Sequence, residues 1–191
     1  GELTEIELAW EQWWSLPDFN TVSVARYFNN TYWQWILATP LQMAVAYWAL
    51  VNWWTYIQPT VVKNIYDSQI DQYQTISKKD RITVFDSSTS DATVTSLVDV
   101  IDTWWLQEYK KEGYSLWWKT WTSEIAYKWK YQWWAWWTNG SFVGLVTAET
   151  SKYVIAIQVR RPRSSPWGSD TAWRIFSQVS EFLIAYDAID E

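Results

Sequence analysis

The sequence contains no cysteine and no histidine. Thiol catalysis, zinc fingers, histidine general bases and histidine-ligated metal sites are therefore excluded. The missing cysteines fit any redox compartment. No run of about 18 apolar residues occurs, so nothing in the sequence reads as a membrane span. The longest apolar stretch, Met43 to Val51, has the length of an ordinary helix. At Gly1 to Ala9 no basic segment precedes an apolar one, so these residues do not read as a signal peptide, and the export signal or anchor of a parent protein is expected upstream. Charge of one sign is not concentrated either. Charged residues are 19% of the chain and the formal net charge is −6, which excludes the basic face that nucleic acid requires. The last scarcity is glycine: 5 residues in 191, against an ordinary share of about 7%.

What is present instead is tryptophan. There are 20, including the pairs Trp13-Trp14, Trp53-Trp54, Trp104-Trp105, Trp117-Trp118, Trp133-Trp134 and Trp136-Trp137. The length is enough for one domain with a real core. Pro40 to Val51 reads as a helix, with Thr39 as N-cap and proline at the first helical position. Asn52-Trp53-Trp54 ends it, where a left-handed glycine is expected. Tyr56 to Tyr66 alternates as a strand bent at Pro59. Asp67 to Arg81 reads as an exposed hairpin or loop, and Ser87 to Asp102 as a helix. Leu116 to Ile125 reads as a strand, followed by a Trp-rich loop from Tyr127 to Asn139. Ser141 to Ala148 and Tyr153 to Arg161 form an antiparallel hairpin. Ser164 to Asp170 is a turn. Thr171 to Ala188 is an amphipathic helix whose apolar stripe is Ile175, Phe176, Val179, Phe182, Leu183 and Tyr186. The order predicts an α+β fold, an antiparallel sheet with helices packed against it.

Several segments, in order, carry a family resemblance. Thr39-Pro40-Leu41-Gln42-Met43-Ala44 is similar to a "TPLQLA" helix start, and Asn52 to Thr60 to "NGGxYxxPT". Gly113 to Ser123, containing Lys119-Thr120-Trp121-Thr122, is similar to "GYxVAGKTGTS". Asn139 to Gly144 is similar to "ASFVG", Tyr153 to Ile157 to "YVVAVVI", and Trp167 to Phe176 to "YGGxVAAPVF". Gly1 to Leu8 is similar to "FGxxTGIxL". Each piece alone is weak and their order is specific. The chain resembles the transpeptidase domain of class B, monofunctional penicillin-binding proteins over nearly its whole length. The resemblance implies the penicillin-binding and serine β-lactamase-like fold, present as the C-terminal portion, residues 1–191, of a single domain.

The departures from the family pattern are systematic. Tryptophan stands at family glycines at positions 33, 35, 53, 54, 118 and 121. Glycine and tryptophan are opposites in size and in allowed φ. One base connects the glycine codon GGA to UGA, which some bacteria read as glycine and other translation tables read as tryptophan. The pattern predicts a sequence translated with the wrong table, in which most of these residues are glycine in the living protein. Glu5 also replaces a family glycine, and recoding through tryptophan does not account for it.

The resemblance implies a serine acyl-transferase with nucleophile motif SxxK and second motif SxN. Neither occurs in this chain; both lie upstream in the family. The third motif remains. By resemblance, Lys119 and Thr122 are catalytic: Lys119 supports the field around the SxN serine and proton transfer, and the Thr122 N–H completes an oxyanion hole. Thr120 and Thr122 bind the substrate's terminal carboxylate through their hydroxyls, and Trp121 occupies the position of the glycine that keeps the strand face clear. Without the resemblance, the same four residues read as an exposed strand with a solvated lysine.

The implied activity is peptidoglycan D,D-transpeptidation by the complete, membrane-anchored protein, in division or elongation, on the outer side of the bacterial cytoplasmic membrane. It implies stem peptides and β-lactams as ligands, with cell-wall synthesis proteins as partners. It needs no metal and no cofactor. Two alternatives stay open: a β-lactam sensor or serine β-lactamase of the same fold, and a non-catalytic Trp-rich sugar-binding or artificial protein. The run Trp129 to Trp137 would then be a sugar-stacking platform. Arg160-Arg161-Pro162-Arg163 reads as a solvated strand end or a contact for anionic polymer or lipid, and Asp187 to Glu191 as an exposed acidic tail.

Overall fold

The computed structural model describes residues 3–12, 18, 20–31, 38–76, 81–84, 86, 88–89, 92–93, 95–96, 115–127, 130–131, 137–147 and 152–190. The elements are α1 (Val24–Thr31), α2 (Pro40–Val51), β1 (Thr55–Tyr56), β2 (Asn64–Asp67), β3 (Gln72–Thr75), β4 (Ile82–Thr83), β5 (Ser115–Glu124), β6 (Ala126–Tyr127), β7 (Lys130–Tyr131), β8 (Thr138–Thr147), β9 (Lys152–Arg160) and α3 (Ala172–Asp190).

Helix α2 starts where the sequence places it. Thr39 is extended, and its hydroxyl accepts a hydrogen bond from the Gln42 N–H at 3.2 Å. The Gln42 side-chain carbonyl accepts from the Thr39 N–H at 2.8 Å. This reciprocal box satisfies two donors that a helix start otherwise leaves open. At the other end the chain leaves through Trp53 and Trp54, at φ 52° and 53°, in the left-handed region where glycine is favoured.

The body is a three-stranded antiparallel sheet in the order β5-β8-β9. Strand β5 pairs with β8 without a break from Ser115↔Thr147 to Glu124↔Thr138, and β8 pairs with β9 from Asn139↔Arg160 to Thr147↔Lys152. Central strand β8 is buried along nearly its whole length because both faces are covered. Helices α2 and α3 both pack on β8 and β9. Met43 of α2 lines a cavity with Val143 and Ala156 on one face, while Phe176 of α3 packs against Gly144 and Phe142 on the other. The α3 face holds an aromatic cluster. Phe142 lies 5.2 Å from Trp173 and 4.7 Å from Phe176, and Trp118 lies 5.3 Å from Trp173. Rings of this size each bury a large apolar area, which favours the folded state.

Several expectations need correction. Tyr56 to Tyr66 is not one strand: β1 and β2 lie at its ends, separated by irregular backbone. Pro59 brings no N–H to a ladder, and the carboxylate of Glu7 takes the Thr60 hydroxyl and the Val61 N–H instead. The exposed hairpin exists, as β2 paired with β3, and begins at Asn64. The Trp-rich loop contains the small hairpin β6–β7, and β8 begins three residues before the expected strand. Trp133, Trp134 and Trp136 lie outside the described residues, as do Trp33, Trp35, Trp104 and Trp105. Ser88, Thr89, Ala92, Thr93, Thr95 and Ser96 are helical, and the rest of the stretch from Ser87 to Asp102, apart from those six, lies outside the described residues. The short helix α1 was not foreseen. The stripe of α3 is only partly as expected: Phe176 is buried and Val179 and Leu183 pack partly buried against the core, but Ala172, Trp173 and Ser180 are buried beside them, whereas Ile175, Phe182 and Tyr186 are exposed. The large aromatics of β5 and β8 set which side of the helix faces the sheet.

Candidate active site

Lys119, Thr120, Trp121 and Thr122 occupy the middle of β5, which is an outer strand of its sheet among the described residues. Side chains alternate along a strand, so Lys119 and Trp121 share one face with Ser123, and Thr120 and Thr122 share the other. The ladder fixes the backbone too. The Ile125 N–H donates to the Trp137 carbonyl across the β5–β8 boundary at 2.8 Å, and the unbroken register carries that alternation back along β5. Lys119, Trp121 and Ser123 then turn their N–H and C=O groups toward β8, while those of Thr120 and Thr122 point outward at the free edge. The Lys119 ammonium marks that edge by donating to the Thr120 carbonyl at 2.7 Å. The Thr122 N–H is thus held by the rigid sheet and aimed away from it, as an oxyanion donor must be.

The two faces of the strand differ. On the α3 face, the Thr122 hydroxyl accepts a hydrogen bond from the Gly168 N–H at 3.1 Å. On the α2 face, Trp121 borders a cavity of about 470 Å³ that Ser123, Asn139, Ser141, Gln158, Arg160 and Met43 also line. Ser141 is 2% exposed, and neither its hydroxyl nor the Asn139 side-chain carbonyl oxygen has a partner among the described residues. Arg161, at φ 53°, stacks its guanidinium 4.0 Å from the Trp137 ring, while Arg160, Arg161 and Arg163 are all exposed, as expected of a strand end in solvent.

All four sequence-derived residues therefore lie together on one strand, split between its faces. What the sequence did not single out is Gly168, which touches β5 and β8 by backbone alone. The signal was glycine itself: of 5 in the chain, Gly140, Gly144 and Gly168 converge on the contact between this sheet and α3.

The family model "Penicillin binding protein transpeptidase domain" matches residues 1–181. The chain belongs to that family. Its fold is similar to apo penicillin-binding protein 3 of Mycobacterium tuberculosis, with a TM-score of 0.83 at 21% identity over 99% of this chain and 44% of that one. The same protein complexed with aztreonam gives a TM-score of 0.84, at the same identity and coverage. A peptidoglycan synthetase of Bifidobacterium adolescentis gives 0.82 at 18% identity, over 99% of this chain and 34% of that one. The chain spans less than half the length of these structures. A comparison with curated proteins finds no match. The mixed fold of helices on an antiparallel sheet is thus the penicillin-binding transpeptidase fold, present in part. Among the described residues no helix is long and apolar enough to cross a membrane.

Proposed function

We propose that the chain is the C-terminal portion of a class B transpeptidase domain, and that the complete protein cross-links peptidoglycan stem peptides through a serine carried upstream. The observation that supports this best is the Thr122 N–H, aimed outward from an outer strand that carries Lys119-Thr120-Trp121-Thr122 in a chain of this family. In this reading the serine hydroxyl attacks the carbonyl of the stem peptide's last peptide bond, the Thr122 N–H stabilises the oxyanion, and the C–N bond breaks so that the terminal residue leaves as an amine carrying the proton given up by the serine. The Thr120 and Thr122 hydroxyls hold the terminal carboxylate, and the acyl group passes to the amine of a second stem peptide. The chain by itself has no turnover, because it lacks the nucleophile motif. The complete protein works on the outer side of the cytoplasmic membrane, tethered by an upstream anchor and assisted by cell-wall synthesis proteins. A β-lactamase or sensor is disfavoured by the "TPLQ" and "PT" segments.

We also infer that the tryptophans at family glycines, including Trp53, Trp54, Trp118 and Trp121, are glycine in the living protein. Trp53 and Trp54 at positive φ support this. UGG codons at these positions would refute it.

The test is acylation by a fluorescent penicillin, using the complete protein built with glycine wherever tryptophan is encoded by UGA. A covalent label on an upstream serine, lost in Lys119→Ala, supports the reading. A folded protein that takes no label points to a non-enzymatic member of the family.

A further inference from the structure

The contact between Gly168 and the sheet is tighter than packing alone needs. A Cβ on Gly168 would lie 2.6 Å from the Ser141 carbonyl oxygen, 2.8 Å from the Ser141 nitrogen and 2.8 Å from the Trp121 carbonyl oxygen. Trp121 and Ser141 are register partners, so Gly168 rests directly on their rung of the ladder. Gly140, the register partner of Thr122, clears the approach: a Cβ there would come within 3.0 Å of the Gly168 Cα. The loop is held from behind as well. The Gly168 carbonyl accepts from the Trp173 N–H at 3.1 Å at the start of α3, and the Thr171 hydroxyl donates to the Trp167 carbonyl at 2.8 Å. Two glycines and a helix start thus deliver one N–H to the Thr122 hydroxyl oxygen.

A threonine hydroxyl has one proton to donate and two lone pairs to accept with. With one lone pair taken by Gly168, the rotor is no longer free. We propose that Gly168 is a positioning residue for Thr122: its N–H orients the hydroxyl so that the O–H proton is presented to the carboxylate of the substrate. This rests on the transpeptidase reading for the substrate and on geometry alone for the brace.

The experiment has two arms. In the chain as it stands, amide exchange at Gly168 is measured in wild type, Thr122→Val and Thr122→Ser. Exchange is expected to rise about tenfold in the valine variant and to return toward wild type in the serine variant. Equal exchange in all three overturns the brace. In the complete protein, acylation is compared for a penicillin with a free carboxylate and for its methyl ester. Gly168→Ala and Thr122→Val are each expected to slow the free acid about tenfold or more beyond any slowing of the ester, the scale on which lost alignment acts. Gly168→Ala in the Thr122→Val background adds no further loss. Equal slowing of acid and ester overturns the positioning role, as do additive losses. Should Gly168→Ala not fold, the exchange arm decides the brace, and Thr122→Val against Thr122→Ser with acid and ester decides the carboxylate role. A wild-type protein that takes no label at all defeats the transpeptidase reading and with it the carboxylate role, while the exchange arm still decides the brace.

Discussion

On the α3 side of the sheet, Gly140, Gly144 and Gly168 sit where a Cβ has no room. At the exit of α2, Trp53 and Trp54 sit where φ is 52° and 53°. Both places call for glycine, the first on grounds of volume and the second on grounds of backbone conformation. Only the first has it. A side chain can be tolerated at positive φ at a cost of about 1–2 kcal/mol, whereas a methyl group driven into a close-packed core has nowhere to go. Trp118 is a third case. It is 3% exposed in the aromatic cluster, and its indole N–H is buried without a partner among the described residues. An unpaired buried donor of that kind costs about 1–3 kcal/mol. Neither volume nor φ asks for glycine there in this chain, because Phe142 and Trp173 close around the ring.

The comparison is broken most directly at Gly144. Its added Cβ would lie 2.4 Å from Cε2 of Phe176, a ring that is 0% exposed and cannot swing away. Gly144→Ala should cost about 2–3 kcal/mol, the upper range for overpacking, read as a drop in the denaturation midpoint at unchanged slope. A loss below about 0.5 kcal/mol would mean that the interface has slack and that volume does not explain the glycine.

At Trp53 the opposite sign is expected. The side chain is 69% exposed, so its removal forfeits little burial, while glycine accepts φ 52° without strain. Trp53→Gly should stabilise the chain by about 1 kcal/mol. Trp54 shares the backbone problem but is 8% exposed, so relief of strain is offset by lost packing and Trp54→Gly should not gain. If both substitutions destabilise alike, the left-handed backbone is not what marks these positions.

How much of this was legible depends on what each residue encodes. The start of α2 was readable because Thr39, Pro40 and Gln42 satisfy a local rule within four residues. Strands β5, β8 and β9 were readable from their apolar and β-branched character, and the site from four consecutive residues in one of them. The buried side of α3 was only half readable: Phe176, Val179 and Leu183 were in the expected stripe, but Ile175 and Phe182 suit a core as well as Trp173 does, and only the partner strands choose between them. The split of Tyr56 to Tyr66 escaped notice because its cause, Glu7, is more than fifty residues away in the chain. Gly168 escaped for the same reason: its task is set by Thr122, 46 residues earlier.

Glu7 provides the smallest expected effect and separates the two regions by what holds them. The N-terminal segment is tied to the segment after α2 by hydrogen bonds at the surface. The Thr60 hydroxyl donates to Glu7 at 2.6 Å, the Val61 N–H donates to it at 3.1 Å, and the Gln58 amide donates to the Glu5 carbonyl at 2.9 Å. The Thr60 hydroxyl, followed by backbone N–H donors, favours the Glu7 carboxylate and lowers its pKa below the usual 4.5. A carboxyl whose pKa is lower folded than unfolded contributes stability above the unfolded value, and the contribution disappears as pH falls through the folded one. Acid below about pH 4.5 should therefore loosen this tie while leaving the sheet, which is held by packing, unchanged. The check is amide exchange, corrected for its intrinsic pH dependence. Protection at Val61 should fall on acidification and already be reduced at neutral pH in Glu7→Gln, with protection at Ser141 and Val143 constant in both. If the sheet amides lose protection together with Val61, the two regions open as one cooperative unit, and the contrast between a packed region and a hydrogen-bonded one does not extend to their dynamics.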